Sequence, residues 1–276
     1  MMKRAALLTD ISGLGNCSGN VGVAVMSALG VEVCLVPTAV LSAQTGFKNH
    51  ALIPLGGGLD ELISSLGRIS PRFDVLSIGF LANAAQAAAA EKLVRLCGSG
   101  ARLVVDPIMG DGGRAHPFCS GEFRESVKRL ALSADVITPN LTELCLLSGA
   151  SYEELTRLPE NEIFEAINDL CRSISLEKLK TVVVTGIDCG GDIANLTADE
   201  NGFSVTRAKR FGGSMSGTGD ILASVVAAAA AKGGDIHEAV GKAAQFISFV
   251  LENSLGEIED RNYGIPYQQY LHRLIV

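Results

Sequence analysis

The chain has 276 residues, 47% of them hydrophobic, enough to bury a full core. Its formal net charge of −7, with no cluster of Lys and Arg, lacks the electrostatic footprint of a nucleic-acid binder. Seven cysteines without a CxxC pair argue against a disulfide framework and structural zinc, so a reducing, cytoplasmic compartment is expected. Short apolar runs rich in β-branched residues predict strands at Ala5–Thr9, Val31–Val36, Val75–Ile78, Leu103–Val105, Val136–Thr138 and Thr181–Thr185. Between and beyond them, helices are predicted at Gly19–Leu29, Ala84–Cys97, Gly121–Leu132, Thr142–Ser148, Asn161–Ile174, Asp220–Lys232 and Ile236–Asn253. Gly190-Gly191, followed by the runs Ile193–Leu196 and Phe203–Val205, predicts a hairpin late in the sheet. The alternation implies a three-layer α/β/α fold with a mostly parallel sheet. No linker, charge block or repeat divides 1–276, which reads as one domain. The early run Ala5–Leu8 is too short for a signal peptide, and Ile221–Ala231 is too short to span a membrane.

Polar residues fall at one recurring place. Asp10 follows the first predicted strand, Asp106 the fourth, Thr138 and Asn140 the fifth, and Thr185-Gly186 the sixth. In an open parallel sheet the C-terminal strand ends form the ligand crevice, so these positions are expected to converge.

The sharpest chemical signal is Gly212-Gly213-Ser214-Met215-Ser216-Gly217-Thr218-Gly219-Asp220, running straight into an apolar helix. Free first-turn N–H groups and the helix dipole make such a start an anion site, with Gly217, Thr218 and Gly219 as the expected anion hole. A carboxylate beside that cradle suits a general base for an attacking hydroxyl. From the spacing alone, Asp220 reads equally as a helix cap. Asp106, Asp111, Asn140 and Glu143 offer the oxygen ligands that a magnesium bridging phosphates prefers, with Glu143 and Asp106 the leading metal candidates. Glu143 also suits the first turn of a helix, and Asp106 suits loop support. Thr138, Asn140 and Thr185 can bond phosphate oxygens or ordinary loop groups. The stretch Gly110–Ser120 is polar and glycine-bearing and reads as a flap or a plain surface loop. Trp is absent, so an aromatic ligand would have to stack on Phe or Tyr.

Asp106-Pro107-Ile108-Met109-Gly110-Asp111, then Thr138-Pro139-Asn140-Leu141-Thr142-Glu143, then Gly217-Thr218-Gly219-Asp220 together resemble the ribokinase-like superfamily, and within it the pyridoxal kinases. The likeness runs from the first strand to the helix after Asp220. It implies a ribokinase-like fold with little or no separate lid domain, and phosphorylation of a hydroxymethyl group by ATP with Mg2+. It assigns the base role to Asp220, water-mediated metal binding to Glu143, and nucleotide contacts to Asp111, Thr138, Asn140 and Thr185. The substrate implied is a B6 vitamer, met by Asp10, Thr45 and Phe80, and the assembly implied is a homodimer. Relatives often carry Ser at the position of Asp10 and Tyr at that of Phe80, so the preferred vitamer is open. Phe80 also reads as a core residue. Hydroxymethylpyrimidine is an alternative acceptor, which Gln44 could serve, and a catalytically silent vitamer- or nucleotide-binding regulator is a reading of another class.

Overall fold

A computed structural model describes residues 2–175, 179–254, 256 and 258–275. β1 (Lys3–Leu14) and β2 (Val31–Ala43) pair in parallel, and β3 (Leu52–Pro54) closes that edge antiparallel. β4 (Val75–Ile78) and β5 (Arg102–Val105) add on the other side of β1, after which the small hairpin β6 (Gly110–Asp111) and β7 (Arg114–Ala115) leaves the sheet. β8 (Val136–Ile137) and β9 (Thr181–Cys189) complete the parallel part, while β10 (Asp192–Asp199) and β11 (Gly202–Lys209) return antiparallel. Across the sheet the order is β11-β10-β9-β8-β5-β4-β1-β2-β3. The chain therefore leaves β1 toward one edge and comes back at β4, which makes the β1/β4 boundary the topological switch point where a crevice opens.

The helices are α1 (Ser18–Ala28), α2 (Gly56–Ile69), α3 (Ala84–Cys97), α4 (Gly121–Leu132), α5 (Leu141–Ser148), α6 (Tyr152–Thr156), α7 (Glu160–Ile174), α8 (Thr218–Lys232) and α9 (Ile236–Ser254). Strand side chains alternate between two cores. Ala6, Leu8, Leu76, Ile78, Leu103 and Val105 face the layer of α2 to α7, where Leu59, Leu93, Leu130 and Leu144 are buried. Ala5, Leu7, Val75 and Val104 face α1, α8 and α9, against Val21, Val25, Ile221 and Val240. Both faces of the central strands are thus dry, which explains their uninterrupted apolar runs. Each fully buried Leu or Ile contributes about 1.5–3 kcal/mol relative to exposure.

Two strands outrun their expected ends. β1 continues past Asp10 to Leu14, with a register irregularity between Thr9 and Ile11, and β9 continues past Thr185 to Cys189. Asp10 and Thr185 therefore lie within strands rather than after them. The apolar signal stops where a second helix layer stops, but the backbone keeps pairing as a ribbon with β2 or β10. A half-covered strand needs only alternate burial. The late hairpin is part of the β9-β10-β11 meander, with Gly190 left-handed at φ +72° in its first turn. The helix α2 is an addition to the sequence reading. Its Gly56-Gly57-Gly58 start reads as loop, and burial of Leu59 and Ile63 holds the helix in place.

Candidate active site

The glycine loop closes onto α8 as its composition requires. Gly217 caps the helix in the left-handed region at φ +87°, and Ile221 N–H bonds Gly217 O at 3.0 Å. The first-turn N–H groups ahead of it have no intrahelical acceptor. Thr218 Oγ1 donates to Met215 O at 3.1 Å and stiffens the turn. A second helix start points at the same place. Cys17 caps α1, and Ser18, left-handed at φ +54°, brings its N–H to Asp220. A left-handed serine costs roughly 1–3 kcal/mol, and such strain clusters at functional sites.

Asp220 retains some solvent contact, yet protein crowds its carboxyl. Burial first, then the charge of Asp10, pushes its pKa up to about 6, with the Ser18 N–H opposing. Asp10 is buried, accepts from Ser12 Oγ at 3.0 Å, and is itself raised by burial. Asp106 is raised by burial and by Asp220, although Thr138 Oγ1 donates to its Oδ1 at 3.1 Å. Glu143 is raised by burial and by Asp106. Asp10 on β1, Asp220 in α8, Asp106 after β5 and Glu143 in α5 thus act on one another in that sequence, and each holds its proton above the usual carboxylate range.

Glu143 belongs to a capping box. Asn140 Oδ1 accepts Glu143 N–H at 2.9 Å, and Glu143 Oε2 accepts Asn140 N–H at 2.9 Å. Its Oε1 accepts Met109 N–H at 3.0 Å. One side chain therefore ties the Asp106–Asp111 turn to the Thr138–Glu143 turn. Asn140 Nδ2 adds a bond to Gly110 O at 2.8 Å. The stretch Gly110–Ser120 is anchored by these contacts. Gly112 and Gly113 both have positive φ at the β6-β7 turn, and Gly113 N–H donates to Thr142 Oγ1 at 2.9 Å. Farther along, the Phe118 ring meets Phe80 edge-on at 5.7 Å and stacks with His116 at 5.3 Å.

Beside α8 opens a cavity of about 460 Å³, large enough for a drug-sized ligand. Of the residues expected there, Asp111, Asn140, Thr185, Thr218 and Gly219 line it. Thr138 does not; it is buried beneath and holds Asp106. The strand-end hydroxyl that sequence places at the phosphates is spent on a carboxylate. The apolar end, formed by Ile193, Phe211, Leu222 and Leu251, and the basic Lys209 and Arg210 were missed from sequence. Their one local signal is the Lys209-Arg210-Phe211 run just before the glycine loop. Arg210 Nη1 pairs with Asp188 Oδ2 at 2.5 Å. A neighbouring chamber of about 300 Å³ shares Asp111, Asn140, Gly186 and Asp188 and reaches Tyr152 and Thr156.

Phe80 N–H donates at 3.3 Å to Oγ1 of Thr9, the neighbour of Asp10 on β1, beside the switch point. Phe80 is half-buried, so it is neither wholly core nor wholly surface. Thr45 stands exposed beyond β2. These three lie outside both cavities. Gln44 is not free to read a ring. Its Nε2 donates to Asn262 O at 3.0 Å, and its Oε1 accepts Gly46 N–H at 2.8 Å.

A glycine-capped anion cradle with a raised carboxylate, on a doubly covered, mostly parallel sheet with no separate lid among the described residues, defines a small-molecule kinase of the ribokinase-like class. The chain belongs to the phosphomethylpyrimidine kinase family, which residues 23–262 match. Among its relatives is a pyridoxal kinase of Granulibacter bethesdensis, 26% identical over 86% of this chain and 86% of the other. The pyridoxal kinase structure from Lactobacillus plantarum superposes with a TM-score of 0.88 at 25% identity, covering 100% of this chain and 97% of that one. A Bacteroides thetaiotaomicron protein described as a candidate phosphomethylpyrimidine kinase, in a crystal form with pyridoxal, gives 0.90 at 26% identity, with coverage of 100% and 96%.

Proposed function

We propose that residues 1–276 form one kinase domain that transfers the γ-phosphoryl of ATP to the 5′-hydroxymethyl group of pyridoxal, pyridoxine or pyridoxamine. The observation that carries this reading is the position of Asp220: the start of its helix lines the 460 Å³ cavity, and its carboxyl feels the charge of Asp10 on β1, beside the β1/β4 switch point. ATP fits the cavity, with the base at its apolar end and the phosphates toward Asp111, Asn140 and the α8 N-terminus. Asp220 takes the proton of the attacking hydroxyl, whose oxygen bonds the γ-phosphorus as the bond to the leaving ADP oxygen breaks. First-turn N–H groups of Thr218 and Gly219 hold the charge on the transferring oxygens. Asp10 and Thr45 meet the polar groups of the ring and Phe80 stacks on it.

Magnesium fits the donor set. Asp106 and Glu143 are hard oxygen ligands raised by burial and by their neighbours' negative charge, an arrangement that a divalent cation relieves. Asp106 would hold it directly or through water, and Glu143, whose two oxygens already accept the N–H groups of Met109 and Asn140, would hold it through water; when bound it would neutralise charge on the phosphates. A homodimer, on the resemblance, and a cytoplasmic location, on the cysteine usage, are part of the same proposal. Sedimentation measures the dimer, and among the described residues no helix is long and apolar enough to cross a membrane.

Hydroxymethylpyrimidine is the second acceptor to weigh, because a relative from Mycobacterium leprae, 28% identical over 83% of this chain and 81% of the other, is a hydroxymethylpyrimidine/phosphomethylpyrimidine kinase. Gln44, the residue suited to a pyrimidine amine, is already engaged by Asn262 and Gly46. A phosphorylation assay across the three vitamers and hydroxymethylpyrimidine, with products read by mass, tests the reading. A vitamer phosphate is expected. Preference for the pyrimidine would overturn the acceptor, and tight binding with no product would favour the regulator.

A further inference from the structure

The segment after α9 makes contacts that neither the base nor the cavity accounts for. Three consecutive stretches of it tie down three loops of the site. Asn262 accepts from Gln44 Nε2 through both its backbone O, at 3.0 Å, and its Oδ1, at 3.2 Å. Tyr263 O accepts Asn16 N–H at 2.8 Å, just ahead of Cys17 and Ser18, and Gly264 bridges Asn16. Ile265 N–H donates to Ser216 O at 3.1 Å, the residue before Gly217.

Glycine sits wherever this segment comes closest. A Cβ on Gly46 would lie 2.2 Å from Asn262 Oδ1, and one on Gly264 would lie 2.8 Å from Asn16 O. The segment is firmly seated as well. Ile265 and Tyr267 are buried, Gln268 Nε2 donates to Asn16 Oδ1 at 2.6 Å, and the Tyr263 ring meets Phe47 edge-on at 5.3 Å.

We propose that Asp260–Tyr267 is a positioning strap that holds the acceptor loop at Gln44–Gly46 in register with the glycine loop at Ser216–Asp220, and that Gln44 is the positioning residue through which the acceptor loop grips it. Gln44 acts through Asn262 and does not touch the acceptor. This deepens the kinase reading and rests on it, because the strap matters to catalysis only if an acceptor and a phosphoryl donor meet at Asp220. Phosphoryl transfer is sensitive to such registration, since a displacement of about 1 Å can cost on the order of 10²-fold in rate.

Gln44→Glu tests it with little change of volume. Glutamate keeps the acceptor for Gly46 N–H and replaces the donor to Asn262 with an oxygen that faces two other oxygens. Hydrogen exchange of the ligand-free protein is the first readout. The bonded amides of Ile221 and of 262–265 are expected to exchange roughly tenfold faster, with Asn262→Ala giving the same pattern more weakly. The second readout is kinetic: kcat is expected to fall roughly tenfold while the KM for ATP stays within about twofold. Unchanged exchange at Ile221 in both variants would overturn the strap. A rise in vitamer KM with kcat intact would overturn the positioning role and make Gln44 a ring contact. Absence of turnover in the unaltered protein would defeat the kinase reading instead, and the exchange pattern would still decide the strap.

Discussion

Gly217 and Asn16 leave no space between them: a Cβ on Gly217 would lie 1.9 Å from Asn16 O, and the glycine sits at φ +87°. The obstacle is backbone on both sides, so a side chain at 217 must move the glycine loop, the Asn16 turn, or both. Gly217→Ala is therefore expected to lower turnover by roughly 10²-fold, through displacement of Asp220 and the α8 N–H groups. It should also lower the melting temperature, because the left-handed conformation is strained for alanine. A variant with wild-type turnover would show that the loop has slack.

Asp220→Asn separates function from stability. Removal of a positioned base is expected to lower turnover by roughly 10²-fold or more, with ATP affinity little changed. Stability should move the other way. The folded-state pKa of about 6 lies above the ordinary 3.8, so between those values the folded protein holds a proton that the unfolded chain has lost. This group's contribution is fully present below about pH 4 and is lost as pH rises through about 6. The asparagine variant is expected to lack that decline and to melt higher than the parent at pH 8. Parental turnover should fall about tenfold per pH unit below pH 6, where the base is protonated. A parental rate flat from pH 5 to 8, or a variant that melts lower at pH 8, would count against the assignment.

The strands and helices that cover both faces of the sheet were legible because Ala5–Leu8, Val75–Ile78 and Leu103–Val105 must be apolar at every position to meet two cores. The starts of α5 and α8 were legible to within two residues, but their caps are Asn140 and Gly217 rather than Asp220. What stayed hidden depends on partners distant in sequence. Nothing in Asn262-Tyr263-Gly264-Ile265 marks it as the neighbour of Gln44 and Ser216, which lie 218 and 49 residues from their contacts. The apolar end of the cavity likewise gathers Ile193, Phe211 and Leu251 from a strand, a loop and a helix that read as ordinary core. Thr138 shows that a polar strand end has more than one partner open to it: its hydroxyl donates to Asp106, the loop bonding that its composition equally allowed.

Glu143→Gln tests the charge crowding. Glutamine can accept only one of the two N–H groups of Met109 and Asn140, and its amide faces the other, so a loss of about 1–3 kcal/mol is expected by chemical denaturation. Magnesium dependence of turnover should weaken at the same time, because a charge beside the metal is gone. In the parent, Glu143 is raised to about 8 and Asp106 is raised beside it, so their contribution to stability declines from about pH 4 to about pH 8. Magnesium should therefore raise the melting temperature more at pH 8 than at pH 5. An equal shift at both values would place the cation away from these carboxylates.

Asp10→Ala probes the acceptor side. Asp10 is buried on β1 beside Asp220 and apart from the cavity assigned to ATP, so the variant is expected to reduce vitamer kcat/KM at least tenfold while ATP affinity stays within about twofold. A second signature follows from electrostatics. The charge of Asp10 is one of the causes that raise Asp220, so its removal should move the acidic limb of the kcat profile to lower pH. Loss of packing alone would reduce the rate without moving that limb. Measuring kcat against pH for both proteins therefore distinguishes contact with the ring from support of the fold. Unaltered vitamer kinetics together with an unmoved limb would mean that the acceptor ring lies elsewhere.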